Sequence, residues 1–240
     1  MITLNIAAIL AGGIGKRMGK GTPKQFIQID DKPIILKTLE VFNSHDEIDL
    51  ILVVCLDEWK EELVKLVLKY RLDKVRFIER PGSTRRKSSF NAVMALKNVC
   101  SDNDIILIHD AARPYVSYTI ISENIRKATS EGACETVVRT NDTIVLSEDG
   151  VYSENIPPRE KMYLVQTPQS FKYSIIYDAH INYDDKLKRG ENVPDITDDA
   201  GLVMFSKGKV ALVKGDKLNI KITSPEDLII YKAIIMNKNQ

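Results

Sequence analysis

Four short apolar runs, "TLNIAAIL", "LILVVC", "KVRFI" and "IILIH", constrain this chain more than any other feature. A half-buried strand alternates apolar and polar residues, whereas runs of this kind belong to strands buried on both faces. The segments between them follow a helical period. Residues 33–44 set Ile34, Ile35, Leu39 and Phe42 on one stripe, and residues 58–70 set Leu63, Val67 and Tyr70 on another, with charges opposite. The order β-α-β-α-β predicts an α/β fold: a Rossmann-like, mainly parallel sheet with helices on both faces and right-handed crossovers. Ligands of such sheets bind at the carboxyl ends of the strands.

At 240 residues and 44% hydrophobic, the chain can bury a substantial core as one domain over 1–240. A net charge of +1 gives no general basic surface, so no nucleic-acid partner is expected. No apolar run approaches the roughly 20 residues of a membrane span, and residues 1–10 lack the charged start of a signal peptide. Cys55, Cys100 and Cys134 show no CxxC spacing and read as reduced thiols. A cytoplasmic protein with no membrane partner is the expectation.

After residue 133 the pattern changes. The stretch 136–166, within "TVVRTNDTIVLSEDGVYSENIPPREKMYLVQTP", reads as a protruding antiparallel β-arm with a turn signal at Asp149-Gly150. Val137, Ile144, Val145 and Val151 on such an arm need covering, and a second copy of the chain is a common solution. A homodimer through the arm is therefore expected over a solitary surface hairpin. The chain then returns to α/β character: "KVALV" and "LNIKI" read as strands. "SPEDLIIYKAIIMNK" reads as a closing helix with Ser224 as N-cap, Pro225 in the first turn and Asp227 near the positive end.

Behind the first strand stands "LAGGIGKRMGKGTPKQF", where Gly12, Gly13 and Gly15 precede Lys16, Arg17, Lys20 and Lys24. A dinucleotide fingerprint fails, because Gly19 falls one residue too late after Gly13 and Gly15. A phosphate loop of the G-x-x-x-x-G-K-[ST] type fails as well, since Ile14 stands where its first glycine belongs. What remains is a loop of backbone N–H groups that can close around a phosphate chain or a base, with Arg17 and Lys24 to neutralise phosphate.

Two further stretches point to the same edge. "IILIHDAARPYV" sets Asp110 directly after an apolar strand and Arg113 three residues on. The acid can hold Mg²⁺ against a phosphate and the arginine can fork onto another, or the two can form a structural pair capping the loop. In "LNIKITSPEDL", Lys221 is either an outward edge residue or an inward anion ligand, and strand alternation does not choose.

Taken together, "LAGGIGKRMG…PKQF", "HDAARP", "QTPQSF", "TDDAG" and "NIKITSPEDL" resemble the cytidylyltransferases that join CTP to a sugar-alcohol phosphate. The resemblance spans nearly the whole chain. It implies that Leu10, Ala11, Gly12, Gly13, Gly15, Gly82, Arg85 and Ser88 bind the nucleotide, and that Arg17, Lys24 and Lys221 stabilise the α-phosphorus during transfer. It further implies that Asp110, Arg113, Thr143, Arg159 and Thr167 bind the polyol phosphate, with Thr143 and Arg159 reaching the site of a neighbouring subunit. Asp110 is the implied metal residue and Mg²⁺ the implied cofactor. The substrate phosphate arrives ionised, so no general base is required and His45, His109 and His180 are expected to be non-catalytic.

Within the family, "LAGG" and "IPPREKMYLVQTPQSF" look like the ribitol-5-phosphate enzymes; the methylerythritol-phosphate enzymes commonly read "PAAG" and carry a tryptophan in the arm. The first substrate is expected, the second is the alternative. One departure is Ser83 in "RPGSTRRKSSF", where the family often carries an acid, which puts that nucleotide contact in doubt. A regulatory protein that binds CTP without turnover would keep the glycine loop but need neither Lys221 nor Arg159. An NAD-dependent dehydrogenase is disfavoured by the failed fingerprint.

Overall fold

The computed structural model describes residues 3–13 and 21–238. From the amino end run β1 (Asn5–Ala11), the short pair β2 (Gln28–Ile29) and β3 (Lys32–Pro33), α1 (Ile34–Asn43), β4 (Leu50–Cys55), α2 (Lys60–Lys69), β5 (Val75–Glu79), α3 (Arg85–Ala95) and β6 (Ile105–Asp110). The second half follows with α4 (Tyr118–Glu131), β7 (Ala133–Arg139), β8 (Tyr163–Lys172), α5 (Tyr173–Lys188), α6 (Asp199–Phe205), β9 (Ala211–Lys214) and α7 (Pro225–Lys238).

Seven strands form one sheet in the order β5-β4-β1-β6-β8-β7-β9, and β2 with β3 forms a small antiparallel sheet. Every strand of the large sheet runs the same way except β8, which is antiparallel to both β6 and β7. From β1 the chain steps outward through β4 and β5, then returns to the other side of β1 as β6. That reversal opens a crevice at the carboxyl ends of β1 and β6, the usual ligand position in such sheets. The register Leu10 to Asp110 brings both residues to its mouth.

The unbroken apolar runs have a direct cause. On one face Ala7, Ile9 and Ala11 pack with Leu39 and Phe42 of α1, Leu63 of α2 and Ile121 of α4. On the other, Ile6, Ala8 and Leu10 pack with Val93 of α3, Ile176 of α5 and Leu202 of α6. Each large side chain so buried contributes about 1.5–3 kcal/mol. The stripe of α1 is buried as expected. In α2, Leu63 is joined by Leu66, while Val67 and Tyr70 lie half-buried against the same cluster. A third cluster, Ile29, Ile34, Ile222 and Tyr231, docks α7 on the start of α1.

Two expectations need revision. "LNIKI" is not a strand: Asn219 N–H bonds Asp216 O (3.0 Å) and Ile220 N–H bonds Leu218 O (2.7 Å), so the backbone spends these donors locally and not on a ladder. Val137 is buried within β7, because residues 133–139 and 163–171 pair inside the main sheet. Between them, residues 140–162 show one isolated antiparallel bridge, Leu146 to Asn155, and expose Val145 (52%) and Val151 (73%). At α7, Asp227 reaches back to the N–H groups of Thr223 (2.7 Å) and Ser224 (2.9 Å), the acidic half of a capping box. Among the described residues no helix is long and apolar enough to cross a membrane.

Candidate active site

Two glycines let the loop after β1 meet the loop before α3. A Cβ on Gly12 would run into Pro81 Cβ, and one on Gly82 would run into Lys87. Thr84 caps α3 by accepting the Lys87 N–H (3.1 Å), and Ser88 Oγ donates to Thr84 O (2.9 Å) while accepting the Gly82 N–H (3.1 Å). Buried Gln25 donates through Nε2 to Ala11 O (2.7 Å) and Gly13 O (2.8 Å), which ties the start of the glycine loop to the short helical turn behind it. These elements enclose a cavity of about 280 Å³ whose wall includes Leu10, Gly13, Lys24, Arg85, Asp110 and Lys221.

Asp110 forms the floor and is 7% exposed. Lys221 Nζ stands 2.8 Å from Oδ2, Arg85 Nε 3.5 Å from Oδ1 and Arg113 Nε 3.7 Å from Oδ2. Burial alone would push this carboxyl up. The Arg85 and Lys221 charges, with Arg113 behind them, outweigh it and hold Asp110 well below the usual carboxylate range. Arg85 is itself gripped from the far side: Asp199, fully buried, accepts its Nη1 at 2.8 Å and takes the Ser89 hydroxyl at 2.5 Å. Burial disfavours the Arg85 charge, but Asp199 and Asp110 more than restore it. Lys24 Nζ donates to Ile222 O at 3.0 Å.

Behind Asp110 lies a chain of neutral groups. Thr167 Oγ1 accepts the Asp110 N–H at 3.1 Å, and His109 Nε2 sits 3.1 Å from Arg113 O. A carbonyl only accepts, so Nε2 carries the hydrogen and Nδ1 accepts from the Thr167 hydroxyl at 3.1 Å. Burial pushes the His109 imidazole down to about 4, which leaves it neutral and structural at ordinary pH. His180, buried beside Asp199, is likewise pushed down to about 4 by burial. Arg113 Nη1 donates to Asn219 O at 2.7 Å.

Of the residues expected from sequence, Leu10, Gly12, Gly13, Lys24, Gly82, Arg85, Ser88, Asp110 and Lys221 line this one cavity. Ala11 holds Gln25 at its edge, and Arg113 and Thr167 contact Asp110 from behind. Thr143 and Arg159 are exposed on the stretch 140–162, do not line the cavity, and Arg159 Nη1 donates to Asn141 O (3.1 Å). Gly15 and Arg17 lie outside the described residues. Three contributors carried no assigned role in the sequence: Gln25, Asp199 and Asn219. Each sits inside a motif, "PKQF", "TDDAG" or "NIKIT", and two adjacent acids at a helix start were the signal available for Asp199.

Cations around one carboxylate, opposite a wall of backbone amides, suit a ligand with several negative charges. A metal fits less directly. Both Asp110 oxygens face cations, and among the described residues no group of three His, Cys, Asp or Glu could hold a metal ion. A divalent ion here would rest on oxygens brought by a polyphosphate, a usual arrangement for Mg²⁺.

The family model described as 2-C-methyl-D-erythritol 4-phosphate cytidylyltransferase (IspD) matches residues 5–237. A protein of that description from Clostridium botulinum (strain Langeland) is 41% identical over 232 residues, 96% of this chain and 97% of its own length. A ribitol-5-phosphate cytidylyltransferase from Streptococcus agalactiae serotype III is 34% identical over 232 residues, 96% of this chain and 95% of its own. Among solved structures, the 4-diphosphocytidyl-2C-methyl-D-erythritol synthase of Anaerococcus prevotii matches with a TM-score of 0.83 at 27% identity, covering 98% of this chain and 96% of that one.

Proposed function

The chain belongs to the IspD family of cytidylyltransferases, and from that premise we propose that it transfers CMP from CTP to D-ribitol 5-phosphate, giving CDP-ribitol and pyrophosphate. The observation that carries the transfer is the convergence of Lys24, Arg85 and Lys221 with Asp110 in one cavity walled by Gly12, Gly82 and Ser88. In this reading the base lies against the glycine wall and the triphosphate extends toward Lys24 and Lys221. An oxygen of the polyol phosphate attacks the α-phosphorus in line; a new P–O bond forms and the bond to the β-phosphate oxygen breaks. The incoming phosphate is already ionised, so no side chain has to remove a proton.

Lys24 and Lys221 neutralise charge as it crowds at the α-phosphorus, and positions fixed in advance supply the rate. Asp110 orients Lys221, and Arg113 with Thr167 supports Asp110 from behind, so that in this reading their part in polyol-phosphate recognition acts through Asp110. A Mg²⁺ carried on the triphosphate would, when bound, neutralise the departing pyrophosphate. Thr143 and Arg159 would complete the polyol pocket of a neighbouring subunit in a homodimer joined through residues 140–162. Three free cysteines suit a cytoplasmic setting, and a CDP-activated polyol suits consumption by transferases that build cell-surface polymers.

Support for ribitol 5-phosphate is the stretch "IPPREKMYLVQTPQSF" together with "LAGG". A second reading, 2-C-methyl-D-erythritol 4-phosphate, is favoured by the higher identity to the clostridial relative, 41% against 34%. A linear pentitol offers hydroxyls and no branch methyl, and a site built to bond hydroxyls rejects an analogue that leaves them unpaired by a large factor. Measuring kcat/KM for both phosphates with CTP and Mg²⁺ decides between them. A preference for ribitol 5-phosphate is expected, and a ratio favouring methylerythritol phosphate overturns the substrate while leaving CMP transfer intact.

A further inference from the structure

Segment 219–222 belongs to no helix or strand, yet three cations take their position from it. Asn219 O accepts Arg113 Nη1 (2.7 Å), Lys221 Nζ reaches Asp110 (2.8 Å), and Ile222 O accepts Lys24 Nζ (3.0 Å). An irregular backbone has no ladder to hold it, so other bonds must. Ile222 N–H on Ala112 O (2.8 Å) pins one end. At the other end two side-chain amides interlock: Asn219 Nδ2 donates to Gln166 Oε1 (3.2 Å) and Thr167 O (3.0 Å), while Gln166 Nε2 donates to Asp216 O (2.8 Å). Gly215 makes room for this, since a Cβ there would stand 2.5 Å from Gln166 Oε1.

We propose that Asn219 and Gln166 form an amide clasp that positions Lys24 and Lys221 for the phosphates of nucleotide and substrate, and Arg113 behind Asp110. The proposal rests on the reading of the cavity as the site of CMP transfer. Both residues are positioning residues, since neither lines the cavity. Their chemistry argues against a role in core stability alone. Asn219 is fully buried and its Oδ1 has no donor among the described residues. An orphaned buried acceptor is destabilising, and an apolar side chain of similar size would avoid it. Such a side chain could not donate to both Gln166 and Thr167. The clasp therefore exchanges stability for a fixed path of the backbone, and a displacement of about 1 Å at reacting groups is worth about 10² in rate.

The test uses the full chain with Asn219→Ala, the isosteric Asn219→Asp, which removes the donor, Gln166→Ala, and the Asn219→Ala/Gln166→Ala double variant. Leu63→Ala in α2, on a helix that contributes nothing to the cavity, serves as a control for plain loss of stability. Each clasp variant is expected to lower kcat/KM for CDP-polyol formation about 10²-fold, with the double variant no worse than either single. CTP should bind about tenfold more weakly, the scale of one hydrogen bond to a charged group, while cytidine, which lacks phosphates, binds as before. Leu63→Ala should lower Tm and leave kcat/KM and both affinities of the folded protein unchanged. Clasp variants with wild-type kcat/KM and an unchanged ratio of CTP to cytidine affinity, or with strictly additive losses, overturn the clasp. A wild type that binds CTP but makes no CDP-polyol overturns the proposed function, and the CTP to cytidine ratio then still decides the clasp.

Discussion

At the cavity floor Asp110 is 7% exposed and gathers Arg85, Arg113 and Lys221, whereas between residues 140 and 162 the side chains of Val151 and Tyr152 stand 73% exposed with Ile156 at 60%. The two regions hang from the same sheet. The first is held together within one chain: Arg85, Arg113 and Lys221 pair with Asp110, Arg85 pairs also with Asp199, and the walls come from the ends of β1 and β6, the loop before α3 and segment 219–222. The second exposes Val145, Leu146, Val151, Tyr152 and Ile156, which no other described residue covers, and it carries Thr143 and Arg159. A polar network closes on itself by direction and charge, while an apolar surface has no direction and waits for area. If the proposed homodimer forms, catalysis should depend on the cavity residues of one chain and polyol recognition on the stretch 140–162 of another.

The largest effect expected is at the cavity. Lys24→Ala and Lys221→Ala should each lower kcat by about 10²–10³, the scale for removing one preorganised stabiliser of developing charge. Stability should change little, because Lys221 is partly exposed and Asp110 keeps Arg85 and Arg113. Steady-state pyrophosphate release checks this, and near-normal turnover of Lys221→Ala removes that residue from the site. The next effect separates the two regions by stability. Asp199→Ala strips a buried partner from Arg85 and Ser89 and should destabilise by about 3 kcal/mol, whereas Arg159→Ala should stay within about 0.5 kcal/mol. Urea denaturation of both variants gives the comparison, and equal losses would mean that the charge network is no more self-supporting than the surface.

A smaller effect follows from protons. His109 and His180 are lowered from 6.5 to about 4 by burial, so between those values the folded state binds fewer protons than the unfolded chain. Their contribution is complete above pH 6.5 and is lost as the pH falls toward 4. At pH 5 the loss amounts to about 2 kcal/mol per histidine. No histidine lies between residues 140 and 162, so the loss belongs to the body of the fold. Denaturation at pH 7 and pH 5 should show the drop, and His180→Gln should remove roughly half of it. A stability that is flat across this window would contradict the buried, neutral state of both rings.

The two regions were also unequally legible in the sequence. β1, β4 and β6 could be read from their apolar runs because helices cover both faces, and Asp110 could be placed because an acid directly after such a run must sit at a strand's carboxyl end. "LNIKI" misled for a physical reason: alternating Leu218, Ile220 and Ile222 imitate a strand, but only Ile222 is fully buried and the backbone turns to serve Asp216 and Ala112. The direction of Lys221 was open from alternation alone because no strand exists there to alternate. Two adjacent acids mark Asp199 as a residue of a helix start, but its partner Arg85 lies 114 positions away and nothing local marks the pair. Val137 reads as part of the arm because β-rich composition does not distinguish a strand inside the sheet from one beyond its edge.

The smallest effect, and the sharpest for the comparison, is a recovery. Arg159→Ala chains should retain CTP binding but use the polyol phosphate poorly, and Lys24→Ala chains should be nearly inactive for the opposite reason. If Arg159 serves a neighbour's cavity, half of the dimers formed on mixing equal amounts are mixed, and each mixed dimer holds one site with both native groups, so about one quarter of wild-type activity should return. The exposed Val145, Val151 and Ile156 make exchange between subunits the step to verify first, for instance with two differently tagged chains. Recovery after demonstrated exchange would join the two regions across the dimer. Absence of recovery despite exchange would mean that each cavity works alone, and that the apolar stretch between residues 140 and 162 holds subunits together without taking part in binding.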